Sequence, residues 1–313
     1  MKVLLRKILN LMIALLIVTL LTFLALQVIP GDPATKMLGA DATAAQAAQL
    51  RTRLELDQPV LVRYGRWLLS FLRGDPGMSY SYSMPVAEML KGKLSVTVIL
   101  TALSFAMTVL ISIPLGILTA RSESVRVNHF FLIMDQLFMA LPPFFIGILS
   151  VYLFGIVLKL FVPGAYVPLS ESVTGGLGYL LLPALAMALP RSAMTVKMLR
   201  SSIRSQMAED YVRTARSRGL TDGQILRRHA LRGAMVPVVT FLAQSAAEIM
   251  TGTIIIEQVF TIPGLGRLLL SSIGSRDFPV VQAIVVMMAV FIILVNFAAD
   301  LINMAIDPRI RVS

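Results

Sequence analysis

Six apolar runs, roughly 8–29, 94–119, 130–159, 177–198, 235–257 and 280–303, constrain this chain more than any other feature. Each reaches the ~20 residues that a helix needs to cross a bilayer. Backbone polar groups in hydrocarbon must satisfy one another, so such runs become helices or the wall of a closed barrel. Aromatic residues make up 7% of the chain and no alternating ten-residue pattern recurs, which argues against a barrel. Hydrophobic residues reach 57% and the mean hydropathy is +0.80. The expected fold class is therefore all-α, a polytopic membrane protein with six transmembrane helices.

The formal net charge of +11 resembles a nucleic-acid signal, yet membrane topology accounts for it. Lys2, Arg6 and Lys7, then Arg121 and Arg126, fall in segments expected to stay cytoplasmic. So do Arg200, Arg204, Arg213, Arg216, Arg218, Arg227, Arg228 and Arg232, and Arg309 and Arg311 in the tail. The outer short loops carry Arg267 and Arg276 beyond Lys159. Both termini are expected inside, with no nucleic acid among the partners. With no cysteine, disulfides, thiolate metal sites and thiol catalysis are excluded together.

Four regions follow along the chain. Residues 1–29 open with a charged stretch, but Ile8–Ile29 is too long for a signal peptide and no small-residue cleavage pattern follows. They read as a first transmembrane helix starting inside. Residues 30–93 form an extracytoplasmic loop with eight Lys or Arg against six acids, long enough to cross regardless of charge. Within it Ala42–Glu55 reads as a helix, and Val60–Leu72 as a helix lying at the outer interface around Tyr64 and Trp67. Gly31 to Pro33 and Gly74 to Gly77 are turn signals. Residues 94–303 hold the other five spans and a cytoplasmic loop at 200–234, and 304–313 form a cytoplasmic tail. Pro114, Pro142, Pro143, Pro183 and Pro190 sit inside apolar runs, where neighbouring helices can re-satisfy the freed backbone groups. No internal repeat is visible.

The loop between the fourth and fifth runs has its own local architecture. Tyr211–Arg218 reads as a short helix with Gly219 as its left-handed C-terminal cap. Thr221 caps a second short helix, and Gln224 three residues later completes a capping box. A solvated basic loop, or a patch drawn to anionic lipid, would carry the same charge. Neither would need the caps or this order of residues.

The run Arg213 to Gly219, with Arg227 to Arg232 in register, resembles the EAA loop of bacterial ABC-importer permeases. Arg213 stands at the motif's acidic position, Thr214 at its middle alanine and Arg232 at its late proline, departures typical of the peptide and nickel branch. Gly252 to Glu257, then Val259 to Arg267, Arg276 to Pro279, Val281 and Gln282, Asn296, Asp300 and Asp307 to Arg311 are similar to the same branch. Gly31 to Pro33 and Gly74 to Gly77 resemble its first-position (B-type) permeases.

That resemblance implies the type I importer fold and a transmembrane permease subunit of an ATP-driven importer in the bacterial inner membrane. Its implied partners are a second homologous permease, two cytoplasmic ATPases, an extracytoplasmic solute-binding protein and the lipid bilayer. No cofactor would be bound by this chain, since ATP and Mg belong to the ATPases. The ATPase-coupling helix would comprise Tyr211, Val212, Arg213, Thr214, Ala215, Arg216, Ser217, Arg218, Gly219 and Leu220. Loop 30–93 would receive the binding protein. Dipeptides, longer peptides, glutathione-like peptides and nickel or nickel chelates are all carried by similar permeases.

Among ionisable residues, Glu248 falls near the middle of the fifth run with no partner visible in the sequence. Either it lines the translocation pathway and favours cationic cargo, or it is held neutral or hydrogen-bonded at a helix interface. Glu257 is expected to fix the loop that follows, through Arg267 or Arg276. Asp135 and Asp300 are expected at the interface. A secondary transporter working alone is the rival reading, and Glu248 would be its one candidate charge. No Ser-His-Asp set, zinc-type histidine pair or glycine-rich phosphate loop points to an enzyme.

Overall fold

A computed structural model describes residues 2–28, 33–38, 43–53 and 55–306. Gly31, Asp32, Ala42 and the tail from Asp307 lie outside the described residues. Helix α1 (Lys2–Val28) is followed by α2 (Pro33–Leu38), α3 (Ala44–Arg53), α4 (Val60–Leu72) and α5 (Val86–Leu90). Next come α6 (Lys93–Arg121), α7 (Val125–Ala140) and α8 (Pro143–Ser150), which continues as a π-helix over Val151–Val157. Then follow α9 (Val173–Met207), α10 (Asp210–Ser217), α11 (Asp222–Ile225), a π-helical turn at Leu226–Ala230, and α12 (Leu231–Val259). The last two are α13 (Leu265–Gly274) and α14 (Phe278–Ile306).

Five helical stretches are long and apolar enough to span a membrane: Leu9–Val28, Val86–Arg121, Val173–Met207, Asp222–Val259 and Phe278–Ile302. The expected third span, 130–159, is not one helix. It is a pair, Val125–Ala140 and Pro143–Val157, bent by 95°. Two adjacent prolines are the cause. Pro142 pushes Leu141 into extended backbone (φ −91°, ψ 123°), which ends α7, and Pro143 takes the first helical position of α8. Pro114, Pro183 and Pro190 lie inside continuous helices, as does Pro237.

The chain divides into two compact units. The first combines Met1–Thr97 with Pro263–Ile293. Here α4 lies against α1: buried Tyr64 shares a 2.8 Å hydrogen bond with Thr19, and Phe23, Tyr64, Trp67 and Phe71 form a chain of ring contacts. Gly74 and Gly77 take positive φ at the turn after α4, where Asp75 accepts a 2.9 Å bond from the Gly77 amide. The loop beyond is tied down by Asp277, which is fully buried. Its carboxylate accepts from the Ser79 hydroxyl and from the amides of Tyr80 (2.9 Å) and Ser81 (3.3 Å).

The second unit combines Val98–Ile262 with Leu294–Ser313. Lipid is as apolar as leucine, so helices associate there through close fit and hydrogen bonds rather than through water exclusion. Helix α9 is the hub, packing on α7, α8 and α12 with a run of small buried residues that includes Ala184, Ala186, Ala188 and Ala193. Gly116 of α6 meets Leu199 so closely that an added Cβ would lie 2.7 Å from the leucine side chain. Buried hydroxyls bond back to their own helices, as Ser104 to Leu100 (2.7 Å) and Thr195 to Arg191 (2.7 Å). Asp135 is buried at 7% exposure, in the field of Arg200 and Lys197. The short α7 delivers it against α9, a consequence of packing.

Candidate functional site

The polar loop folds into a closed, stapled turn. In α10, Asp210 occupies the first turn and Arg216 the last, each matching the helix dipole at its end. Gly219 has φ +83°, the left-handed region that L-residues avoid. Its amide donates to Arg216 O (2.9 Å) and the Leu220 amide to Ala215 O (3.2 Å). Those two bonds make a Schellman motif. Thr221 then accepts from the Gln224 amide (3.4 Å) while Gln224 Oε1 accepts from the Thr221 amide (3.0 Å), a reciprocal capping box. Arg216 Nε donates to Asp222 Oδ1 at 2.8 Å, tying α10 to α11 across the turn.

One edge of α10 is apolar. Val212 (1% exposed) and Ala215 pack with Ile225, flanked by Met207 and Leu220. Every other position of α10 is exposed, among them Tyr211, Arg213, Thr214 and Ser217, and the Arg213 side chain is 82% exposed. The ten residues Tyr211–Leu220 thus form a basic knob packed along one thin apolar edge.

The expected second short helix is not a separate element. From Asp222 the chain runs without a break through α11, the π-helical turn and α12, a single 38-residue stretch ending at Val259. The capping box therefore starts the fifth span. Leu226, Ala230, Ala234 and Val238 pack with Leu199 and Ile203 of α9, and Ser202 donates to Ala234 O (3.0 Å).

Glu248 has a partner that the sequence alone did not identify. Its carboxylate pairs with Arg191 of α9 and accepts from Gln244 Nε2 at 3.3 Å. The pair remains partly accessible, at 21% for the arginine side chain and 38% for the glutamate. Arg191 was the missing residue. It is a cation just after Pro190, deep inside an apolar run, and that position was the available signal. Glu257 is fully buried near the other end of α12, whereas Asp300 is exposed.

Comparison with known proteins accounts for this architecture. Residues 112–312 match the family model described as "Binding-protein-dependent transport system inner membrane component". Residues 1–101 match its companion, "Binding-prot-dependent transport system membrane comp, N-term". A peptide transport system permease protein of Brucella abortus (strain 2308) is 36% identical over 296 residues, covering 95% of this chain and 94% of that protein. The glutathione transport system permease GsiC of Salmonella paratyphi A is 34% identical, covering 98% of each. The oligopeptide transport system permease AppB of Bacillus subtilis is 31% identical, covering 94% of each. In fold, the chain is similar to an inward-facing MetNI methionine ABC transporter structure, with TM-score 0.53 and 14% identity over 70% of this chain and 96% of that one. The chain belongs to the binding-protein-dependent transport system inner membrane component family, the integral-membrane permeases of ABC importers, in which separate ATPase subunits hydrolyse ATP.

Proposed function

We propose that this chain is one of two homologous permease subunits of an importer for di- and oligopeptides, driven through α10 by a cytoplasmic ATPase pair. The observation that carries the reading is the knob itself: a Schellman-closed helix with an exposed basic and aromatic face, tied by the Arg216–Asp222 bridge to the start of a transmembrane span. Such a face, seated in a groove of an ATPase, would move when the ATPases close on ATP. The stroke passes through Gly219 and the capping box into α12 and shifts the spans between inward- and outward-open populations. Tyr211–Leu220 is the coupling element in this account, and loop 30–93 the platform for a loaded binding protein.

Peptide cargo is supported by the names of the relatives and by the Arg191–Glu248 pair. A half-accessible pair of opposite charges suits a cargo with an amino group and a carboxylate, which can exchange partners with it. The pair weakens the nickel reading, because Arg191 neutralises the charge that a bare cation would seek. We place both termini in the cytoplasm, with Thr174 and Ser275 outside and Ser217 inside. In this cysteine-free chain, Thr174→Cys and Ser275→Cys should label from outside intact cells and Ser217→Cys should not. Reversal of the two groups would sink the topology. The function is tested by reconstituting the permease pair with its ATPases and binding protein in vesicles. ATP-dependent uptake of a labelled dipeptide, with none of nickel, is expected. Nickel uptake without peptide uptake would overturn the cargo.

A further inference from the structure

The first compact unit holds a cavity of about 350 Å³ between the end of α1, helix α4 and the start of α14. Its size is that of a small-ligand site. Two of its lining residues, Trp67 and Gln282 (the latter only 6% exposed), each carry a nitrogen, Nε1 and Nε2, that is closed off from water and has no hydrogen-bond partner. Buried polar groups nearly always find partners, so two unmatched donors on residues of one cavity wall mark a place for an acceptor, reached when either side chain turns toward the cavity. The charges around them choose its sign. Arg63 and Arg66 both line the cavity, and Glu55 is the carboxylate beside them, paired to Arg66. Arg63 is turned over the Phe23 ring at 6.0 Å and bonds the neutral Gln27 Oε1 at 3.0 Å, so its charge is uncompensated by either contact. Among the lining residues two guanidiniums stand against one carboxylate, and the buried Asp277 carboxylate behind Tyr80 is already taken up by the Ser79 hydroxyl and the Tyr80 and Ser81 amides.

We propose that this cavity binds the phosphate of a phospholipid headgroup, held by Trp67 Nε1, Gln282 Nε2 and the guanidiniums of Arg63 and Arg66. The lipid source follows from where the cavity lies. Phe23, Leu26 and Gln27 belong to the last turns of a membrane-length helix, the level at which hydrocarbon gives way to headgroups. Helix α4 turns Leu61, Leu69 and Leu72 outward at 70%, 57% and 74% exposure, apolar surface of the kind that acyl chains cover. Burial pushes the Tyr80 phenol up, so this further lining residue stays neutral at physiological pH and adds no negative charge. A lipid held here would fasten α4 to α1 and brace the loop that Asp277 anchors. The assignment of this end to the outer leaflet rests on the topology proposed above; the site itself does not.

The test counts phospholipid on the detergent-purified permease complex by native mass spectrometry, without cargo or ATP. Wild type is expected to retain one phospholipid per copy of this chain. Gln282→Leu and Arg63→Gln should each lower occupancy by about tenfold, the scale of one charge-assisted hydrogen bond. Trp67→Phe keeps the ring contacts and deletes the N–H alone, so it reports on the site even if another variant fails to assemble. Wild type without bound lipid, or equal occupancy in assembled Trp67→Phe and Gln282→Leu complexes, would overturn the proposal. A second arm titrates inorganic phosphate into delipidated complex by calorimetry. Phosphate binding that these variants abolish, with no lipid retained, would assign the site to a free anion and overturn the lipid reading. Inward labelling of Thr174→Cys would refute the orientation while leaving the lipid count intact.

Discussion

The chain turns sharply at Gly219 and again at Leu141–Pro142, and the two bends are built from opposite materials. At Gly219 the backbone reverses through a left-handed residue, and freed polar groups are taken up locally by a Schellman pair, a capping box and the Arg216–Asp222 bridge. At Pro142 the helix stops because the donors are missing and the preceding residue is forced out of helical geometry. One bend is assembled from hydrogen bonds and holds its two helices as a unit. The other is made by removing hydrogen bonds, and the 95° bend it leaves depends on how α7 and α8 pack against α9. A bend of the first kind is closed by its own hydrogen bonds. A bend of the second kind sets a shape.

The largest effect that would sharpen this contrast lies away from both bends, at the Arg191–Glu248 pair. Arg191→Met should leave a carboxylate unpaired within the spans, a loss of about 3 kcal/mol, the low end for a buried pair because this one is partly accessible. Thermal unfolding of the purified complex should show it. The double variant Arg191→Gln with Glu248→Gln should regain most of the stability while peptide uptake stays low. Recovery of uptake in the double variant would make the pair structural and remove it from the pathway.

Replacing both Pro142 and Pro143 by alanine should let α7 and α8 join, since a proline opposes an interior helix by about 3 kcal/mol. Part of that gain is offset by lost packing on α9. Distance measurements between spin labels on α7 and α8 should lengthen, and uptake should fall while ATPase binding persists. Unchanged distances would mean that packing, rather than the prolines, holds the bend.

Gly219→Val should cost about 1–2 kcal/mol locally, because a β-branched residue is forced to φ +83°. The expected outcome is normal membrane insertion with weakened ATPase co-purification and little uptake. Thr221→Ala is the mildest change, about 1 kcal/mol for the lost cap, and Thr221→Ser should restore wild-type behaviour. If Thr221→Ala hurt assembly more than Gly219→Val, the turn would not be the element that positions α10.

What the sequence revealed divides along the same line. Gly219, Thr221 and Gln224 were legible because a cap is set by residues three or four positions apart. Helix α4 was legible from its apolar spacing around Tyr64 and Trp67. The broken third span was not, since an apolar run of about 30 residues satisfies the length rule whether or not it bends. The Arg191–Glu248 pair joins residues 57 positions apart through the packing of α9 on α12, and the same holds for buried Asp135 and for Asp277 with its loop. The π-helical turn at Leu226–Ala230, which makes the capping box the start of a span, has no composition of its own to announce it. Local chemistry writes itself into neighbouring residues. Tertiary pairing does not.

The central claim is that the exposed face of α10 docks into the ATPase, and cysteine labelling tests it most directly. Arg213→Cys and Thr214→Cys place thiols on that face, and Glu123→Cys places an exposed one in the loop before α7 as a control. Labelling rates would be compared in inverted vesicles containing the permeases alone and containing the complete transporter. The account predicts that the two α10 thiols react freely without the ATPases and at least about tenfold more slowly with them, the protection expected of residues inside an interface core. The Glu123→Cys control should slow far less. Equal labelling of Arg213→Cys and Thr214→Cys in the two preparations would contradict the account, leaving α10 a capped surface turn with no part in driving transport.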